Sequence, residues 1–123
     1  MDVIISNADG RPIYEQIFEQ IRGQIISGKI PADTPLPSIR SLAKDLRISV
    51  ITTKRAYDEL EREGYIYTLP QKGSFAASLD LELLKEEHLR EMEEHLRRVK
   101  ELAALAGISK EDVFSAYQII EEE

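Results

Sequence analysis

The chain has no cysteine, which excludes disulfides and thiolate metal sites and leaves nothing that argues for an oxidising compartment. No apolar run approaches the ~18 residues of a membrane span, and the opening MDVIISNADG lacks the basic stretch and long apolar core of a leader. The expectation is a soluble, cytoplasmic protein. There is no glycine-rich phosphate loop, and the only histidines are His88 and His95, seven apart on one helical stretch with Glu91 between them. Seven residues of helix rise about 10.5 Å, too far for both rings to reach one ion. No catalytic arrangement survives, so neither an enzyme nor a metal site nor a cofactor is expected. The length of 123 residues leaves room for one modest domain and an appendage.

Positive charge is also scarce, since the formal net charge is −7. Its distribution is uneven. Through Leu79 the chain holds 10 Lys+Arg and 10 Asp+Glu, and from Asp80 onward 6 and 13, so the whole acidic excess lies in the tail. A neutral head can bind a polyanion when its cations face one way, with a modest, salt-sensitive electrostatic component.

What the chain does have is the stretch Leu36 to Gly64, LPSIRSLAKDLRISVITTKRAYDELEREG. Pro35 and Pro37 end what precedes, and Ser38 stands where a helix N-cap belongs. Ile39, Leu42, Ala43 and Leu46 recur at three and four, predicting a short helix with one apolar face. Small Ala43 suits a steep crossing over a tight turn. Arg47-Ile48-Ser49 forms that turn, with Ile48 inward and Ser49 as a second N-cap. The next helix is expected from Val50 to Glu63, with Gly64 as its left-handed stop. Thr53, Ala56, Tyr57 and Leu60 fall on its inner face, leaving Val50, Ile51, Thr52, Lys54 and Arg55 outward near the N-terminal half, which in a recognition helix meets base edges. Tyr65 to Thr68 and Ser74 to Ala77 read as two strands around a turn at Leu69-Pro70-Gln71-Lys72-Gly73, a hairpin wing with a lysine at its tip.

Pro12 to Ser78 resembles the winged helix-turn-helix domain of GntR-type bacterial transcription regulators, whose pattern LPSxRxLAxxLxVSxxTxxxAYxxLExxG is followed by a wing with GxG; here the wing reads QKGSF. The short tail resembles the YtrA-like branch. The resemblance implies that double-stranded DNA is a partner. It also implies that Arg40, placed after LPS-x, points toward DNA, where it can pair bidentately with guanine O6 and N7. Lys44, Lys54, Arg55 and Lys72 are expected as phosphate anchors, with Ser38, Ser41 and Thr52 as further phosphate donors at helix N-termini. With Ser49 and Gly73 these complete the expected contact set. One departure stands out: many family members carry arginine just after the turn, where this chain has Val50 followed by Ile51. Exposed β-branched residues there suit thymine methyls and an operator richer in A·T.

The remaining segments frame this unit. Val3-Ile4-Ile5 is a short strand or a packed arm, followed by a turn at Asn7 to Gly10, and no function is assigned to it. Pro12 suits the first position of a helix whose face is Tyr14, Ile17, Phe18, Ile21 and Ile25, closed by Gly28. Lys29 to Pro37, with three prolines, reads as a stiff connector. The domains expected are 1–79, the winged unit, and 80–123, a two-helix tail. Leu89, Met92, Leu96, Val99, Ala103 and Ala106 mark one face of the first tail helix. Gly107 ends it, Ser109 and Asp112 resemble a capping box, and Val113, Phe114, Tyr117 and Ile120 mark the second helix. Two amphipathic helices without a core of their own predict a homodimer, its interface at Leu89, Met92, Leu96, Val99, Ala103, Ala106, Phe114 and Tyr117. The fold class is mainly α with a small β-hairpin wing, a winged helix-turn-helix domain followed by a dimerisation hairpin. The function expected is a sequence-specific DNA-binding regulator, a repressor on an inverted repeat. A rival class is a small dimeric adaptor that uses the tail to bind another protein. No polar cluster in an apolar setting defines a pocket for a small-molecule effector.

Overall fold

The computed structural model describes Met1–Glu123, all 123 residues. Its contacts divide it into two compact units, Met1–Asp80 and Leu81–Glu123. No helix is long and apolar enough to cross a membrane.

In the first unit α1 spans Ile13–Ile26 and buries Ile17, Phe18, Ile21 and Ile25. Pro12 is its N-cap, one position earlier than the sequence suggests: ψ of 150° is extended, yet its carbonyl already accepts from Glu15 and Gln16. Helix α2, Ile39–Leu46, starts at Ser38, whose side chain accepts from the Ser41 N–H at 3.1 Å. Helix α3, Val50–Arg62, starts at Ser49, which caps the Thr52 N–H at the same distance. Between them Arg47 adopts the left-handed conformation, φ 57°, and lets Ile48 N–H return to the Ala43 carbonyl at 3.0 Å. This is the Schellman closure, which caps orphan helix carbonyls and reverses the chain. Helix α3 ends the same way, with Gly64 at φ 83° and Tyr65 N–H on the Leu60 carbonyl.

Strands β1, Ile66–Leu69, and β2, Gly73–Ala76, pair antiparallel with Ile66 opposite Ala76 and Leu69 opposite Gly73. Both begin one residue away from the sequence expectation. The Tyr65 N–H is committed to closing α3, although its carbonyl still takes the Ala77 N–H at 2.8 Å. Lys29 to Pro37 is more than a connector. Asp33 N–H donates to the Ala76 carbonyl, Ala76 N–H to Thr34, and Leu36 N–H to Ser74, so the loop lies along β2 as a third, irregular ply. Proline hides this from a reading by propensity, because Pro35 needs only to sit where no ladder N–H is required.

α3 packs against α1, α2 and β1, and the core gathers Ile17, Ile21, Leu42, Ala56, Tyr57, Leu60 and Ile66. The opening residues form an arm rather than a strand. Gln16, Gln20 and Gln24, four apart on α1, hold Ser6, Ile4 and Asp2, two apart on the arm. Gln20 both accepts from the Ile4 N–H at 2.9 Å and donates to its carbonyl at 2.7 Å. Gln16 does the same at Ser6, and Gln24 donates to the Asp2 carbonyl. The spacings match because four helical residues rise about 6 Å and two extended residues about 6.6 Å. Val3 and Ile5 then pack on the core.

The second unit is a hairpin of α4, Leu81–Ala106, and α5, Lys110–Glu121. Gly107 at φ 66° returns Ile108 N–H to the Ala103 carbonyl, and Ser109 caps α5 through the Asp112 N–H at 3.1 Å. Neither helix buries a residue.

Candidate nucleic-acid interface

The α2–turn–α3 segment and the hairpin carry a charge bias that the neutral sum of the unit conceals. Between Thr34 and Tyr57 the only acid is Asp45, against Arg40, Lys44, Arg47, Lys54 and Arg55, and Gly64 to Leu79 holds Lys72 and no acid. The acids of α3, Asp58, Glu59 and Glu61, sit in its C-terminal half. The helix is therefore polar along its length, and its cationic end coincides with the positive end of its dipole. An anionic partner is favoured at the N-terminal half.

The expected contact residues divide by what they touch. Arg40 and Lys44, one turn apart on α2, are exposed, as is Lys72 in the hairpin turn, and no ion pair uses any of the three. Lys54 differs: its Nζ lies 2.7 Å from Asp58 Oδ2. Both side chains are well over half exposed, so the pair is worth little and can be exchanged for a phosphate. Arg55 differs more, because its guanidinium lies 3.7 Å from the centroid of the Tyr14 ring and links α3 to α1.

Hydroxyl chemistry is equally specific. Ser49 Oγ accepts from the Thr52 N–H and donates its own proton to Thr52 Oγ1 at 2.7 Å, which leaves the Thr52 proton to reach outward. Ser38 Oγ is used as an acceptor by Ser41 N–H and retains its proton. Ser41 is exposed, and Gly73 holds φ 99° at the end of the turn, where a side chain would be strained. Val50 and Ile51 are exposed at the head of α3.

Three features go beyond what the sequence singles out, although the inward position of Tyr57 is legible from its spacing. Arg47, read only as a turn residue, is an exposed cation held by the left-handed backbone between the two helices. Tyr57 is buried and donates its hydroxyl to the Pro37 carbonyl at 2.7 Å, and burial holds its pKa well above the usual tyrosine value. Tyr67 stacks on Phe75, with centroids 5.4 Å apart, and donates to Asp33 Oδ1, a hydrogen bond that raises its pKa.

The tail residues named by spacing lie open. Leu89, Met92, Leu96, Val99, Phe114 and Tyr117 are exposed, as is Ala106, and Ala103 is half-buried. A shallow trough of about 330 Å³ runs between the helices, lined by Leu96, Val99, Leu102, Val113, Tyr117 and Ile120 among others.

Comparison with known proteins gives a consistent result. Residues 13–75 match the model for bacterial regulatory proteins of the gntR family. The transcriptional repressor YtrA of Bacillus subtilis is 35% identical over 100 residues, covering 81% of this chain and 77% of YtrA. The chain spans only 29% of the length of another relative, the repressor NagR of the same organism, at 41% identity over 71 residues, 58% of this chain. A GntR family transcriptional regulator from Listeria monocytogenes superposes with a TM-score of 0.68 at 31% identity, over 89% of this chain and 96% of its own. The DNA-binding domain of AraR in complex with operator ORR3 superposes with a TM-score of 0.53 at 27% identity, covering 63% of this chain and 93% of that domain.

Proposed function

The chain belongs to the gntR family of bacterial regulatory proteins, and from that premise we propose that it is a transcriptional repressor that binds an inverted-repeat operator as a homodimer. Residues 1–79 are the DNA-binding domain and 80–123 the dimerisation tail. Helix α3 enters the major groove by its N-terminal half, α2 lies across the backbone with Arg40 reaching toward base edges, and Lys72 meets phosphate from the hairpin tip. Repression follows from occupancy of the operator. The likeness to named repressors supports that sign of regulation, and the likeness to an operator-bound domain supports the docking mode. Such work is done beside the chromosome, in the cytoplasm.

The observation that carries this reading is the acid-poor span from Thr34 to Tyr57, built on two capped helices joined by the Arg47 turn. Homodimerisation is supported by the tail: twenty-six residues of α4 and twelve of α5 with no buried side chain have an apolar face that a second copy can cover. Gel-shift assays with genomic fragments from the neighbourhood of its own gene test the proposal. Retardation of a discrete fragment over competitor DNA is expected. Equal retardation of every fragment would remove the claim of sequence specificity.

A further inference from the structure

We infer that Val50 and Ile51 form an apolar reading head that selects thymine through its C5 methyl group, an inference that rests on the DNA-binding reading above. Ile51 is 81% exposed, the most exposed of the large apolar side chains in the first unit, and Val50 beside it is 46% exposed. Both stand on the first turn of α3, the end that the DNA-binding reading turns toward the major groove. Neither side chain has a polar atom, so neither can hold a phosphate or pair with a base edge by hydrogen bonding. The apolar feature that a major groove presents is the thymine methyl.

Position supports the assignment. Ile51 lies three and four residues before Lys54 and Arg55, and Val50 four before Lys54, so both share a helical face with the cations. Thr52 follows them with a hydroxyl whose proton is left free by the Ser49 bond and suits the sugar–phosphate backbone, so the apolar pair lies directly beside a polar contact. Both residues are β-branched, and in a helix such side chains are confined almost to one χ1 rotamer. Their methyl groups are therefore presented in a fixed place before DNA arrives, and little rotamer freedom is lost on contact. Adjacent residues on the first turn can meet methyls on one or two neighbouring base pairs of each half-site.

The test removes the methyl and nothing else. Full-length protein selects a duplex from a random-sequence pool, and each thymine of the selected duplex is replaced singly by deoxyuridine, which keeps all hydrogen-bonding groups. At one or two positions per half-site uracil should weaken binding about fourfold, the worth of one buried methyl. Ile51→Ala or Val50→Ala, both at exposed sites where alanine favours helix, should bind uracil and thymine duplexes alike at those positions. Selection that enriches a duplex insensitive to uracil at every thymine would overturn the inference while leaving DNA binding intact. Sensitivity that persists in both alanine variants would also overturn it. No enrichment at all would overturn the DNA-binding reading together with the inference. Ile51→Ala changing the sedimenting mass without a uracil effect would assign the pair to protein contact and overturn the inference too.

Discussion

The Tyr57 hydroxyl donates to the Pro37 carbonyl at 2.7 Å across twenty residues of sequence, tying the middle of α3 to the residue that precedes the N-cap of α2. A two-helix motif is otherwise held only by apolar contact and one turn. This bond fixes the start of α2 relative to α3 at a defined atom. Tyr57→Phe leaves the Pro37 carbonyl without its partner and should cost about 1–2 kcal/mol in urea unfolding. Burial raises the pKa of Tyr57 above its ordinary value near 10, so the native state keeps a proton that the unfolded chain gives up. The stability tied to this group is whole below about pH 10 and is lost as the pH rises beyond it. Tyr57→Phe should therefore be less sensitive than the native chain between about pH 10 and 12, as read by unfolding midpoints across that range.

Dimerisation through the tail is tested at Leu96 and Val99, which line the trough between α4 and α5. A carboxylate at either place would be desolvated in an interface without a partner charge. Leu96→Asp with Val99→Asp should sediment as a monomer. An unchanged mass would move the interface elsewhere. Footprinting of the intact protein should in turn show two protected half-sites related by a two-fold axis.

The cations should separate by role. Arg40→Ala is expected to cost about 1–3 kcal/mol on the specific site and to relax discrimination at one base pair per half-site. Lys72→Ala should weaken binding to all sequences alike and shallow the salt slope by about one unit. Lys54 must leave Asp58 before it can meet a phosphate, so Asp58→Ala should tighten non-specific binding and Lys54→Ala should loosen it. Arg55→Ala is expected to act mainly on stability, by about 0.5–1 kcal/mol, through loss of the contact with Tyr14. Titrations of specific and scrambled duplexes across a salt series, beside urea unfolding, read all four.

Gln20 is the middle rung of the three that hold the arm. Gln20→Ala should leave α1 helical yet free the Ile4 amide, raising its hydrogen exchange about tenfold for the ~1.4 kcal/mol of two lost hydrogen bonds. Unaltered exchange at Ile4 would mean that Val3 and Ile5 hold the arm by packing alone.

These residues also show where a sequence yields its structure and where it does not. Ser38, Ser49 and Ser109 announce helix starts because capping is a local transaction between one side chain and an N–H three residues on. Gly28, Gly64 and Gly107 announce ends for an equally local reason, the positive φ they adopt. The hairpin is legible to within one residue, and the error is physical, since the Tyr65 N–H belongs to the helix and its carbonyl to the sheet. The pairing of Asp33 to Leu36 along β2 joins segments some forty residues apart. Nothing in the composition of a proline-rich loop records it. The glutamines of α1 likewise leave the apolar period untouched, so the arm they hold is invisible to any reading of that period. Lys54 and Arg55 are legible as outward cations, whereas Asp58 and the Tyr14 ring as their partners depend on side-chain paths that spacing does not fix.

The segment from Asp33 to Pro37 gives its N–H groups and carbonyls to β2 at one end and takes the Tyr57 hydroxyl at the other. The hairpin and α3 are thus two arms of one bracket, joined through this segment. On the docking proposed above, the angle between the hairpin tip and α3 as they meet a duplex would be set by this shared segment. Docking as proposed would use surfaces already held in place by these bonds, so the heat-capacity change on association should reflect contact area and not coupled ordering.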